Sequence, residues 1–350
     1  MVSRQSPSLY LPTEKIEGFF FCHLLGLPCR LIYFYKEILK MKKVLSIVMM
    51  LAICACACLG FASCGKKTDF TVGICQLMEH DSLDLATQGF KDALTEELGK
   101  AGKTVKFDLQ VAGEANLCST VINTFTASKV DLIMANATPA LTAAAEATST
   151  IPVLGTSVTD YADTFSNNIP ANVSGTSDAV PFADQAQMMI DTLGLVSGDK
   201  VGVLYCANES NSLVQYNAVK ALFEAKGIEA KAYSFSDAAT ELQAMVNSAA
   251  GECKAIYVPS DNTVAQNDSV VGSICSEKKV PVFTSYSSSI CYASLAIDYY
   301  ELGKETGKMA AEVLLGTKAV SDIEIKTLTP AVVYNKELCA QLGIAVPEGK

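Results

Sequence analysis

VDLIMANATPALTAAAEATSTIPVLGTSVTD, residues 130–160, decides the fold. An apolar run over 131–135 and a second over 153–156 read as buried strands. The Ala-rich segment between them, 139–149, reads as a helix opened by Thr138 and Pro139. A strand, a covering helix and another nearly continuous apolar strand make a parallel unit buried on both faces. Working outward, the same alternation recurs. Upstream stand strand 70–75 (FTVGIC), helix 83–99, strand 105–111 and helix 115–128. Downstream stand helix 180–193, strand 200–205, helix 212–226, strand 229–233, helix 239–249, strand 255–258, helix 263–278 and strand 282–284. Two such series predict an α/β protein of two doubly wound parallel-sheet lobes with a cleft between them.

Ahead of the lobes, MKKVLSIVMMLAICACACLGFASCGKK begins at Met41. Lys42 and Lys43 supply a positive start, 44–59 an apolar stretch too short to span a bilayer comfortably, and Phe61-Ala62-Ser63 small-residue spacing before Cys64. This is the layout of a bacterial lipoprotein signal over 41–63. It makes Cys64 the lipidated first residue of the working protein and 64–69 a tether at the membrane's outer face. Residues 1–40 have neither caps nor a core pattern and are expected to be untranslated or unstructured.

Beyond residue 63 the chain carries 20 Lys and Arg against 34 Asp and Glu, a net charge of −14. Phosphate binding relies on basic surface, so no nucleic-acid partner is expected. His80 is the one histidine beyond residue 63, and no CxxC or zinc spacing occurs. Hydrolytic triads and His-ligated metals therefore lack material, and no enzyme, metal or cofactor is expected. The seven cysteines beyond Cys64 sit mostly in apolar runs and read as small core residues.

In parallel sheets, ligands bind beyond the carboxyl ends of the strands. Polar residues stand there in both series: Gln76 to His80, Asn136 to Pro139, Ser157 to Asp160, Asn208 to Ser212, Pro259 to Thr263, and Ser285 to Ser288. Several also suit helix capping, so each has two readings.

VGICQLMEHDSLDLATQGFKDAL, VDLIMANATPA, IPVLGTSVTD, NVSGTSD, VGVLYCANESNS, AIYVPSDNTV and ASLAIDYYELGKETGKMAAEVLLG together carry a family resemblance. Residues 70–347 resemble the solute-binding lipoproteins of ABC importers with the type I periplasmic-binding fold, in the branch associated with tryptophan and tyrosine uptake. The resemblance implies three crossovers, a first lobe of 70–175 and 296–317, a second of 176–295 and 318–350, and delivery of the ligand to an ABC permease and its ATPase. Two departures border the cleft. Tyr161 follows Asp160 where the family has proline, and Ile290 stands near a family glycine.

An amino acid needs partners for its carboxylate, its ammonium and its side chain. Thr138 and the segment Ser210, Asn211, Ser212 open helices suited to the carboxylate. Asp261 is the first candidate for the ammonium, with Glu209 and Asp160 behind it, and Asp261 is equally readable as a plain N-cap. Gln76, Thr159 and Asn262 complete the ligand-facing set. His80 orders Glu79, contacts ligand or lies on a solvated turn. Tyr286 is the aromatic placed to stack on a planar ligand, whereas Tyr299 and Tyr300 read as helix-packing residues. The alternatives are the same fold binding a nucleoside, sugar or peptide, or an extracytoplasmic sensor module.

Overall fold

The computed structural model describes residues 41, 68–236 and 239–346. The chain divides into the units Met1–Lys67 and Thr68–Lys350, and the fold described is that of the second. Apart from Met41, the expected signal over 41–63 and the expected lipid site Cys64 lie outside the described residues.

The first lobe is built from β1 (Phe70–Gln76), α1 (Asp81–Lys100), β2 (Val105–Val111), α2 (Cys118–Ser128), β3 (Leu132–Asn136), α3 (Thr138–Ala147), β4 (Val153–Val158), α4 (Tyr161–Thr164) and β5 (Val173–Ser177). The second contains α5 (Phe182–Leu193), β6 (Lys200–Cys206), α6 (Ser210–Glu224), β7 (Glu229–Phe235), α7 (Ala239–Glu252), β8 (Ala255–Val258), α8 (Asn262–Gln266), α9 (Asp268–Lys278), β9 (Val282–Thr284) and β10 (Ala293–Ala296). After these come α10 (Tyr299–Leu314), β11 (Lys326–Thr327), β12 (Ala331–Tyr334) and α11 (Lys336–Leu342).

The strands form two sheets, β11-β5-β4-β3-β1-β2 and β12-β10-β9-β8-β6-β7. Pairing is parallel except between β10 and β12. Each sheet is buried on both faces, as its apolar strands require. Val72 and Ile74 of β1 point towards Phe90 and Leu94 of α1 and Met309 of α10. Cys75, on the opposite face, joins Ile122 and Phe125 of α2 and Leu141 of α3. In the second lobe Val201 and Val203 pack with Phe223 of α6, while Leu204 packs with Leu242 and Val246 of α7. All seven described cysteines are buried, as their apolar surroundings predict.

Helix α10 closes the first lobe by lying almost backbone to backbone on α1. A Cβ placed at Gly303 would stand 1.9 Å from the Ala86 carbonyl oxygen, and one at Gly89 would stand 2.1 Å from that of Tyr300. Only glycine permits that approach.

The sheets carry the first lobe past two expected boundaries. β11 pairs with β5, Lys326 opposite Thr176, so the chain stays with the first sheet through Thr327 rather than leaving it at 318. Likewise β5 carries that sheet through Ser177, beyond the expected limit at 175. The segment expected as one helix over 263–278 is two, broken at Asn267, whose φ of −110° and ψ of 21° leave the helical range.

Candidate functional site

The carboxyl ends of the two sheets face one another, and the backbone of the first lobe is strained there. Ala137, between β3 and α3, has φ 91° and ψ 157°, a region suited to glycine that costs other residues about 1–3 kcal/mol. Ser157 in β4 has φ 55°, and the β4–β5 register slips between Gly155 and Val158. Both residues are buried next to polar side chains without partners. Thr138 Oγ and Ser157 Oγ have no hydrogen-bond partner, although the residues are only 4% and 7% exposed. Across the cleft, Asn211 of α6 is 6% exposed and its Oδ1 is also unpartnered. Its Nδ2 is held, donating to Ser260 O at 2.7 Å and Glu209 Oε2 at 3.2 Å.

Ser157 and Asn211 line one small cavity of about 10 Å³, together with Asp178, Ser260, Asp261 and Tyr299. Two larger cavities flank it. One, of about 340 Å³, lies among His80, Asp81, Asp268, Tyr286 and Ile290. The other, of about 430 Å³, lies among Met78, Glu114, Cys206 and Glu209. Buried polar atoms normally find partners, and leaving one unmet costs about 1–3 kcal/mol. A donor and an acceptor left unmet on opposite walls mark a place built for a polar guest.

Two buried acids organise the second wall. Glu209 accepts from Asn262 N (2.9 Å), Asn262 Nδ2 (2.7 Å), Thr263 N (2.8 Å) and Thr263 Oγ (2.7 Å), which fixes the start of α8. Asp261 accepts from Val264 N at 2.8 Å and Cys206 N at 2.6 Å, and the Ser212 hydroxyl also bonds to it. Burial and the neighbouring Glu209 hold the Asp261 carboxyl well above the usual carboxylate range. Of its two readings, the N-cap is the one the structure displays, with both oxygens engaged inside its own lobe.

The remaining expected residues divide. Gln76 is turned inward, donating to Met78 O and Asp84 Oδ1 and accepting from Thr87 Oγ, so it orders its own loop. Asp160 caps α4 through Asp163 N at 2.9 Å. Ser210 is exposed on the first turn of α6. Tyr286 lines both the central and the 340 Å³ cavities and donates its hydroxyl to Asp268 Oδ1 at 2.7 Å. His80 Nε2 lies 3.2 Å from Asn262 Oδ1 in the other lobe. Burial lowers the His80 pKa, against the opposing pull of the Asn262 contact and of Glu209, Asp84 and Asp81. Thr159 makes the second cross-lobe contact, its Oγ accepting from Gln215 Nε2 at 3.4 Å.

Asp178 and Tyr299 are the residues that sequence reasoning missed. Thr159 Oγ donates to Asp178 Oδ1 at 3.0 Å, and Tyr299 OH donates to Asp178 Oδ2 at 2.8 Å. Burial raises the Asp178 pKa despite these two donors. An acid directly after VSGTS is the signal that could have found it, once that stretch is seen to be a strand. Among the described residues, no group of three or more His, Cys, Asp or Glu could hold a metal.

Known proteins resemble this chain over most of its length. A tyrosine-binding protein from Clostridioides difficile (strain R20291) is 34% identical over 292 residues, covering 80% of this chain and 84% of the relative. A structure from Streptococcus pneumoniae, an ABC domain in complex with L-Trp, superposes with a TM-score of 0.73 at 30% identity, covering 80% of this chain and 97% of that one. The ligand-free, open structure of a substrate-binding protein with adhesive properties from Clostridium difficile has the same identity and coverage, yet its TM-score is 0.59. The family of ABC transporter substrate binding proteins matches residues 71–349. With the match spanning both lobes and the cleft between them, the chain belongs to that family.

Proposed function

We propose that this protein is a lipid-anchored extracytoplasmic receptor that binds an aromatic amino acid between its lobes and hands it to an ABC permease. The observation that carries this reading is the unmet pair on opposite walls, Ser157 Oγ and Asn211 Oδ1. A hydroxyl can donate to a carboxylate, and an amide oxygen can accept from an ammonium. The two ends of an amino acid have those needs. Thr138, at the start of a helix without a side-chain cap, adds a further donor for the carboxylate. The second charge falls to Asp178, whose buried carboxylate lines the same cavity and would be held ionised by a cation beside it.

The relatives support the ligand class, since one is a tyrosine-binding protein and one is a complex with L-Trp. They are 34% and 30% identical to this chain, which covers 84% and 97% of their lengths. Contacts from a single ligand to Ser157 in one lobe and Asn211 in the other would stabilise the closed arrangement over the open one, the differential affinity that closure requires. The permease then reads the closed shape. Anchoring through Cys64 keeps the receptor at the membrane that holds the permease.

Thermal unfolding of the full-length chain with each of the twenty common L-amino acids tests the ligand class. An aromatic amino acid at a hundredfold excess over its Kd should add about 2.7 kcal/mol. If none of the twenty raises the midpoint, the reading fails. Metabolic labelling with a fatty acid tests the anchor: label should be incorporated and should be lost in Cys64→Ala. Label persisting in that variant would remove Cys64 from the role.

A further inference from the structure

The 340 Å³ cavity shares His80, Ser82, Ala265 and Tyr286 with the central cavity. The 430 Å³ cavity shares none of its lining residues. A central volume of about 10 Å³ has room for one water-sized group. A guest held at Ser157 and Asn211 needs more room than this, and the 340 Å³ cavity, which shares lining residues with the central one, is the adjoining space open to its side chain.

That cavity is not a plain apolar slot. Tyr286 and Ile290 give it an apolar side, while Asp268 and, from the other lobe, Asp81 place carboxylates on its wall, and no lysine or arginine lines it. Asp268 opens α9 and is fixed by two donors, Tyr286 OH at 2.7 Å to Oδ1 and the Ser288 hydroxyl to Oδ2. Each carboxylate oxygen has two acceptor positions, so each keeps one after these bonds. The helix that carries Asp268 is pinned from the same cavity wall, since a Cβ at Gly272 would lie 2.6 Å from Ile290 Cγ2. Ile290 is thus seated against α9 where its neighbour has no side chain.

We infer that Asp268 is a specificity-determining residue, accepting a hydrogen bond from an O–H or N–H at the far end of the ligand's side chain. The inference rests on the amino-acid reading above and sharpens it. The receptor selects amino acids whose side chains end in a donor over those of similar shape that end in hydrocarbon. A hydrocarbon end would take water from Asp268 and return nothing, whereas a phenol or an indole N–H replaces it. Sites built to bond a ligand's hydroxyl or amine reject the analogue that lacks it more strongly than apolar pockets reject a misfit methylene. Burial pushes the Asp268 carboxyl up to about 6, which leaves it mainly ionised and accepting at pH 7.

Calorimetric titration of the full-length chain with matched pairs tests this: L-tyrosine against L-phenylalanine, and L-tryptophan against 1-methyl-L-tryptophan. The donor-bearing member of each pair should bind at least about tenfold more tightly, one hydrogen bond to a charged group. Asp268→Ala should bring both ratios within about threefold. Wild-type ratios near one overturn the inference by themselves, whether or not the variant folds, and so do ratios that Asp268→Ala leaves intact. If the pairs bind without preference, only donor selection fails. If none of the four ligands binds, the amino-acid reading fails with it.

Discussion

Tyr299 donates its hydroxyl to the Asp178 carboxylate at 2.8 Å, joining the first residue of α10 to the residue that follows β5. The chain crosses from the first sheet to the second after β5 and returns before α10, so this bond ties two of the three crossovers together. It is buried, and Asp178 also receives Thr159, which in turn receives Gln215 from the other lobe. A short polar chain therefore runs from the crossovers to the interface of the lobes.

Tyr299→Phe should break that chain at its charged link. A buried carboxylate losing one of two donors costs about 1–3 kcal/mol. Urea unfolding should show a loss of that size, and small-angle scattering should show a larger radius of gyration as the crossovers loosen. Unchanged stability would mean that the bond does not hold the crossovers.

The glycine contact between α1 and α10 gives a contrast within one residue type. Gly303→Ala would drive a Cβ to 1.9 Å from the Ala86 carbonyl oxygen, where only backbone can move, and should cost about 3 kcal/mol or more. Gly251→Ala, on an exposed part of α7 with nothing within 4 Å, should stabilise by about 0.5–1 kcal/mol. Thermal unfolding of the two variants should move in opposite directions.

Buried carboxyls set the pH dependence of folding. Burial raises Asp178, Asp261 and Asp268 above their ordinary value of 3.8, with Asp268 reaching about 6. Between those values the unfolded chain has lost protons that the folded chain keeps, so stability falls as pH rises. His80 is lowered and works in the opposite sense, as do surface carboxylates that lysine partners lower, such as Asp199 and Glu305, whose titration lies mainly below pH 4.5. The unfolding midpoint should drop between pH 4.5 and 7. Asp268→Asn should flatten the part of the drop below pH 6, on the order of 2 kcal/mol. A midpoint that climbs over this range would contradict the assignment.

The double α/β arrangement was legible because its central strands open on short apolar runs, as at the start of LIMAN and VLGTSV. The strands β5, β10, β11 and β12 were not. Four of the five residues of VSGTS are hydroxyl-bearing or glycine, and its complete burial comes from β4 and β11 on either side. Missing β5 also hid Asp178, which looks like a loop acid until the strand before it is known. Tyr299 was read as a packing residue from its place on an amphipathic helix, and its ring is indeed buried. The hydroxyl at its end, which reaches Asp178, has no signature in spacing. Asp261 shows the reverse case: a capping acid and an ammonium-binding acid have the same local sequence, and the distances to Val264 N and Cys206 N separate them. The unmet atoms of Ser157 and Asn211 could not be read from sequence at all, because a missing partner is a property of the whole fold.

The most direct measurement is calorimetric titration of wild type and Ser157→Ala with L-tyrosine and L-tryptophan, paired with thermal unfolding of both proteins. Ser157 Oγ bonds to nothing within the protein, so its removal should leave the unfolding midpoint unchanged or raise it slightly. If the hydroxyl is kept for a ligand carboxylate, the same change should weaken binding by about tenfold. Binding by neither protein, or equal binding by both, would contradict the account.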